Sequence, residues 1–372
     1  MRALKVTYIV SDIHKALAFE WIAQALDAQR FSLSFILLNP GPSALEDYLR
    51  QHGVPVHRVT YRGKKDFAKA LAQLLVLLRK LGTQAVHCHF FDASLLGLSA
   101  AWLAGVRKRI YTRHYSTFHH EYFPKGVYYD RFMNRLATGI VSISGVVSHT
   151  LTHLEGVQAR KVHLVHHGFK LAAFTNPSPD RVEALRRKYL PEGHAPVIGV
   201  ISRYFELKGI QYIIPAFKRL LGTHPGAKLL LANAVGNYSA EIKSLLAELP
   251  PDSYTEIPFE EEIAALYQLF DVFVHVPINE HTEAFGQIYV EALAAGIPSV
   301  FTRSGVATEF IEHGRNAWVV PFRDEEALYQ AMRGLLADGA LRSRVVRQGR
   351  KDVLDRFALQ NMISALETLY LA

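Results

Sequence analysis

The sequence predicts an α/β chain built as two parallel-sheet domains, and three observations carry that reading. Strand-like segments alternate with helix-like segments from one end to the other, the pattern of parallel sheets wrapped by helices. The chain has 372 residues, enough for two domains of ordinary size. Between Lys170 and Asp180 two prolines and small polar residues interrupt the alternation and mark a junction. These observations place a first domain at 1–170, a linker and helix at 171–194 and a second domain at 195–354, with a terminal helix at 355–372.

In the first domain, short apolar and β-branched runs predict strands at Lys5 to Val10, Phe31 to Leu38, Val54 to Val59 and Ala85 to His89. Further strands follow at Arg109 to Thr112, Gly139 to Ser142 and Lys161 to Val165. Stretches of helix formers lie between them, for example Ala16 to Ala28, Asp66 to Lys80 and Ser94 to Ala104. Arg181 to Tyr189 reads as a helix ahead of the second sheet, whose first strand is the buried apolar run Pro196 to Ser202. Asp271 to Pro277 is another strand, and Gln287 to Ala295 is a helix closed by Gly296, a residue suited to a helix C-terminus.

Bulk properties restrict the function. A hydrophobic fraction of 49% with 20% charged residues describes a globular protein with a substantial core. No apolar run approaches bilayer length; that around Leu71 to Leu78 is broken by Gln73 and ends at Arg79-Lys80. Cys88 is the sole cysteine, so no intramolecular disulfide is possible, and the opening strand has a charge where a secretory leader would be apolar. A cytoplasmic location is the expectation. The net charge of +8 is uneven: residues 1–170 hold 22 Lys and Arg against 10 Asp and Glu, net +12, and the remainder is net −4. Clusters such as Arg62 to Lys65 and Arg107 to Arg109 make the first half a candidate surface for an anionic membrane or a phosphorylated acceptor. The aromatic and basic stretch Tyr115 to Tyr129 reads as a loop serving as an acceptor-side flap or a membrane contact.

The most informative motif is Glu283 to Glu291, two carboxylates eight positions apart across a loop entering a helix. Gly286 falls near the helix start, where unpaired N–H groups and the dipole make the backbone of Phe285, Gly286 and Gln287 a candidate phosphate cradle. Glu291 lies five residues further on, about 7 to 8 Å along the axis, roughly the reach from a phosphate to ribose hydroxyls. Glu283 stands on the other side, where a sugar attached to the phosphates would lie. An acidic turn before an ordinary amphipathic helix would give the same spacing. Upstream, the strand ending at Ser202 runs into Arg203 and Lys208, two cations at the carboxyl end of a parallel strand, where open α/β sheets bind ligands. An Arg fork and a Lys point charge can neutralise a diphosphate without a metal.

Read in order, Ser202-Arg203, Lys208-Gly209, Ala264 to Tyr267, Phe270 to Pro277, Glu283 to Gly286, Glu291 to Pro298 and Glu309 to Pro321 resemble the retaining glycosyltransferases of the GT-B fold in family four, also called group 1. The similarity is dense over 195–335 and looser in the first half, through Ala85 to His89, Thr112 to His114, Val141 to Ser144 and Lys161 to Gly168. The resemblance implies two Rossmann-like domains with the active site in the cleft between them and a final helix that returns to the first domain. It implies transfer of a sugar from a nucleotide diphosphate donor, uridine favoured, to a hydroxyl on a glycan or lipid-linked acceptor, with retained configuration and neither cofactor nor metal. On this reading Arg203 and Lys208 hold the diphosphate, Glu291 the ribose and Glu283 the sugar hydroxyls, while backbone near Glu256 and Ile257 contacts the base. His114 is placed near the transferred sugar, alongside Glu283, Arg203 and Lys208 as catalytic candidates.

The first domain departs from the family pattern. Relatives carry Gly-Gly after the first strand, whereas this chain has Ser11-Asp12-Ile13, leaving His14 and Lys15 as acceptor-side candidates together with His89. His87 and His89, two apart on a strand, share a face and invite a metal reading, but no third ligand is evident. His166 and His167 precede Gly168 where relatives more often show Asn. Two other classes compete: a GT-B nucleotide-sugar epimerase using the same residues without an acceptor, and a noncatalytic nucleic-acid binder carried by the basic half. The ordered motif series favours the transferase, with no nucleic acid expected.

Overall fold

The computed structural model describes residues 3–191 and 193–372, which divide into two compact units, Met1–Phe169 with Leu359–Ala372, and Lys170–Ala358. The first unit runs β1 (Leu4–Ser11), α1 (Leu17–Ala25), β2 (Phe31–Asn39), α2 (Ala44–Gln51), β3 (Val56–Thr60), α3 (Phe67–Leu81) and β4 (Ala85–His89). It continues through α4 (Phe91–Leu103), β5 (Lys108–Arg113), α5 (Phe118–Tyr122), α6 (Gly126–Leu136), β6 (Gly139–Ser142), α7 (Gly145–His149) and β7 (Val162–Leu164). The second unit holds α8 (Ala172–Thr175), α9 (Pro179–Tyr189), β8 (Val197–Ile201), α10 (Ile210–Leu221), β9 (Lys228–Ala232), α11 (Ser239–Leu246) and β10 (Tyr254–Ile257). Then come α12 (Ile263–Tyr267), β11 (Val272–His275), α13 (Gln287–Ala295), β12 (Ser299–Phe301), α14 (Ala307–Phe310), β13 (Trp318–Val319), α15 (Glu325–Ala337) and α16 (Gly339–Arg356). The last helix, α17 (Leu359–Leu371), belongs to the first unit.

Both sheets are parallel, in the orders β3-β2-β1-β4-β5-β6-β7 and β10-β9-β8-β11-β12-β13. Strand order reverses between β1 and β4 in one sheet and between β8 and β11 in the other. The crevice outside the strand carboxyl ends at such a switch point is where doubly wound sheets bind ligands. The central strands β4, β8 and β9 are buried on both faces, as strands inside a parallel sheet covered by helices are. Each unit has its own core, one gathered around Tyr8, Phe35 and Leu366 and one around Ile198, Phe217 and Leu229.

α17 is held by apolar and polar contacts together. Met362, Ile363 and Leu366 enter the first core, while the Tyr370 hydroxyl meets Tyr8 and His87 Nδ1. The segment 171–194 packs within the second unit through Tyr189, whose hydroxyl donates to Glu260 at 2.7 Å, and Arg181, which pairs with Glu262 at 2.6 Å. The stretch 115–129 is not the loop that its aromatic and basic composition suggests: it contains α5 and the start of α6. A helix was hidden because α6 turns its polar residues Asp130 and Asn134 inward and its aromatic residues outward, the reverse of the usual amphipathic pattern.

Candidate functional site

In the second unit the switch point gathers side chains from three connections. After β8 the chain passes Arg203 and makes a 3-10 turn, Glu206–Lys208, ended by Gly209 at φ +74°. A Cβ on Gly209 would lie 1.9 Å from the Val276 carbonyl oxygen, so the turn lies directly on the chain leaving β11, and the Ile278 N–H bonds the Leu207 carbonyl at 3.1 Å. That contact delivers Lys208 to Glu283. The Lys208 Nζ stands 2.5 Å from Glu283 Oε1, and His275 Nε2, from the last residue of β11, is 3.1 Å from the same oxygen. The loop bearing Glu283 is braced from behind: Glu283 N–H donates to Ser304 Oγ at 3.0 Å, and Val306 N–H to the Phe285 carbonyl at 2.9 Å. Gly305 fits because it has no Cβ, which would meet the Phe285 and Glu283 carbonyl oxygens at 2.6 and 2.8 Å.

Charge follows from this geometry. Burial alone would raise the Glu283 carboxyl, but the Lys208 ammonium and the His275 N–H outweigh it and hold it down at about 2. His275 is lowered by burial, with Glu283 partly opposing. Glu291, one helical turn into α13, accepts a hydrogen bond from the Tyr267 hydroxyl at 3.2 Å, and burial pushes it up to about 7. Gly286 opens α13 at φ +86°, so the N–H groups of Gln287 and Ile288 have no helical carbonyl behind them, while Tyr289 N–H turns back to the Gly286 carbonyl at 3.2 Å. Gln287 is exposed there, while the Phe285 side chain is buried edge-on against Phe357.

Arg203 is exposed, with its guanidinium 4.7 Å from the centre of the Phe205 ring. It makes no ion pair among the described residues. Glu256 and Ile257 lie on the edge strand β10 and do not join the Lys208–Glu283 cluster. The Tyr204 hydroxyl donates to Glu256 Oε1 at 3.0 Å, and the Ile257 carbonyl accepts from Ala234 N–H at 3.2 Å.

The first unit brings His89, His114 and His167 together at the ends of β4, β5 and β7. His89 Nδ1 lies 3.2 Å from His114 Nε2, and the His114 ring stacks with Phe90 at 4.8 Å and with His167 at 5.9 Å. Phe90 adopts φ +70° and ψ 167°, a backbone region that side chains rarely tolerate, so this stack is held at a cost to the chain. Burial and neighbouring imidazoles lower His114 to about 3 and His167 to about 4, keeping both neutral. His89 Nε2 is buried without a hydrogen-bond partner. His87 shares a face with His89, ring centres 4.3 Å apart, and bonds the Tyr370 hydroxyl at 2.6 Å and Thr112 at 2.8 Å. No group of three or more His, Cys, Asp or Glu among the described residues could hold a metal ion. His14 and Lys15 are exposed in the loop after β1, where Asp12 takes φ +51°, a left-handed turn made without glycine.

Reasoning from sequence missed His275, Tyr267, Ser304 and Gly305. A histidine in the short, fully buried strand β11 was the one available signal, since a buried imidazole needs a partner.

The chain matches the family model "Glycosyl transferases group 1" over residues 181–352 and the model "Glycosyltransferase Family 4" over residues 21–173. It is 25% identical over 358 residues to the capsular polysaccharide biosynthesis glycosyltransferase CapM of Staphylococcus aureus, covering 87% of this chain and 91% of that one. A shorter match, 25% identical, reaches spore coat protein SA of Bacillus subtilis over 62% of this chain and 64% of that protein. Among solved structures, Anabaena Alr3699/HepE in complex with UDP-glucose superposes with a TM-score of 0.84 at 20% identity, covering 99% of this chain and all of that one. The two models between them match most of the chain, one on each unit, and it belongs to the family-four glycosyltransferases of the GT-B fold.

Proposed function

We propose that this protein transfers a sugar from a uridine diphosphate sugar to a hydroxyl of a glycan or lipid-linked acceptor, with retention at the anomeric carbon and without a metal. The observation that supports it most is the convergence of Lys208 and His275 on one oxygen of Glu283, beside the N-terminus of α13. In this reading Arg203 and Lys208 neutralise the diphosphate, the first-turn N–H groups of α13 cradle it, and Glu291 accepts the ribose hydroxyls. Glu283 keeps its second oxygen for hydroxyls of the sugar, because both protein contacts fall on Oε1. The bond from the anomeric carbon to the diphosphate oxygen breaks, the acceptor oxygen bonds the same face of that carbon, and the acceptor proton passes to the departing diphosphate. His114, neutral at working pH, is assigned to a hydroxyl on the acceptor side or of the transferred sugar. The uridine preference draws on the UDP-glucose complex of the structural relative.

Release of UDP from UDP-sugars, followed in EDTA, tests this. The wild type turns over, and Lys208→Ala loses at least about a hundredfold while its melting transition survives. A folded Lys208→Ala variant with near-normal release would remove the role assigned to the lysine.

A further inference from the structure

Two imidazoles share one hydrogen bond at the carboxyl ends of β4 and β5. His89 closes β4, in register with Thr112 of β5, and its Nδ1 lies 3.2 Å from Nε2 of His114, two residues further along. Burial and the imidazoles around them lower both rings, His89 well below its ordinary value and His114 to about 3, so neither is charged at working pH. One ring must therefore supply the N–H and the other the lone pair.

The surroundings of His89 decide which. Its ring is buried against Tyr8, Phe19 and His87, and Nε2 has no hydrogen-bond partner there. Were His114 to donate, His89 would have to keep its proton on Nε2, as a buried N–H with nothing to accept it. Such orphaned donors are rarer in native structures than unpaired acceptors. With its proton on Nδ1, His89 donates to His114 and leaves only a lone pair among the aromatic rings. His87 does not compete, because its two nitrogens are taken by the hydroxyls of Tyr370 at 2.6 Å and Thr112 at 2.8 Å.

The consequence falls on His114. With Nε2 filled, its own proton sits on Nδ1, which is bonded to no described residue. Stacking on Phe90 at 4.8 Å and on His167 at 5.9 Å holds the plane of the ring, and Phe90 accepts a backbone conformation nearly confined to glycine to do so. A half-turn within that plane would exchange the two edges of the ring. The hydrogen bond from His89 selects one of them.

We propose that His89 is a positioning residue, which donates from Nδ1 to His114 Nε2 and so holds His114 as the Nδ1–H tautomer. His114 then meets a ligand oxygen as a hydrogen-bond donor and not as a base. What that donor serves rests on the transferase reading, in which the acceptor proton passes to the diphosphate and no protein base is needed. The state of the histidine pair does not rest on it.

Nitrogen NMR of the imidazole rings is the test, with His89 and His114 assigned by the loss of their signals in His89→Phe and His114→Phe. In the wild type both are expected to carry the proton on Nδ1. His89→Phe removes the donor and keeps a flat ring in place. In that variant His114 is expected to shift toward its Nε2–H tautomer, and UDP release to slow by about tenfold with the KM for the UDP-sugar unchanged. His89→Asn, whose amide N–H can replace Nδ1–H, is expected to turn over within about threefold of the wild type. A wild-type spectrum with the His89 proton on Nε2 would overturn the proposal. So would a His89→Phe variant that leaves the His114 tautomer and turnover unchanged, or an asparagine variant no faster than the phenylalanine one. A wild type that releases no UDP would sink the transferase reading instead, and the wild-type spectrum alone would then decide the state of the pair.

Discussion

Glu283 and Glu291 are both carboxylates in one motif, yet their surroundings drive them apart. Lys208 and His275 hold the Glu283 carboxyl down at about 2, while burial pushes Glu291, beside the Tyr267 hydroxyl, up to about 7. If a ribose is held by the Glu291 carboxylate, binding must expel a proton whenever the pH is below that value. Nucleotide affinity therefore falls as pH drops below about 7, by at most tenfold per unit, and is level above it. Titrating UDP by calorimetry at pH 6, 7 and 8 checks this, and Glu291→Gln is expected to bind more weakly with no such dependence. The spacing of the two acids was legible in the sequence, as was Lys208. Their pairing was not, because His275, Ser304 and Tyr267 reach the carboxylates across the fold from other elements.

Among the elements, β8 was the most legible, since a short apolar run has little choice but to lie inside a parallel sheet. α5–α6 was the least legible. Its inward face is polar because Arg113 and Glu155, distant in sequence, supply the partners, and no periodicity reveals that. The turn after β8 shows how an element positions a charge. Gly209 combines a left-handed backbone with a contact that admits no Cβ, so Gly209→Ala would strain the chain and lift the 3-10 turn off the strand-β11 exit. We expect a loss of at least about 2 kcal/mol in stability. The nucleotide-induced rise in melting temperature should fall with it, because Lys208 moves with the turn. Differential scanning calorimetry with and without UDP reads both, and an alanine variant as stable as the wild type would show that the turn relaxes freely.

At the scale of the whole molecule, two doubly wound sheets each present chemistry at their own switch point: neutral histidines at β4 and β5 in the first unit, a lysine and two carboxylates after β8 and β11 in the second. The division into two sheets was legible from alternation and from the proline-bearing junction. The histidine cluster was only partly so, since His167 arrives from a third strand and Phe90 holds its stack through an unusual backbone. That the second unit is a nucleotide-sugar site is the central claim. Thermal stabilisation by UDP, GDP and ADP, measured in EDTA on wild type and on Arg203→Ala, tests it most directly. UDP is expected to raise the melting temperature of the wild type, and the rise to be lost in the variant. No stabilisation by any of the three, or a shift that Arg203→Ala leaves untouched, would contradict it.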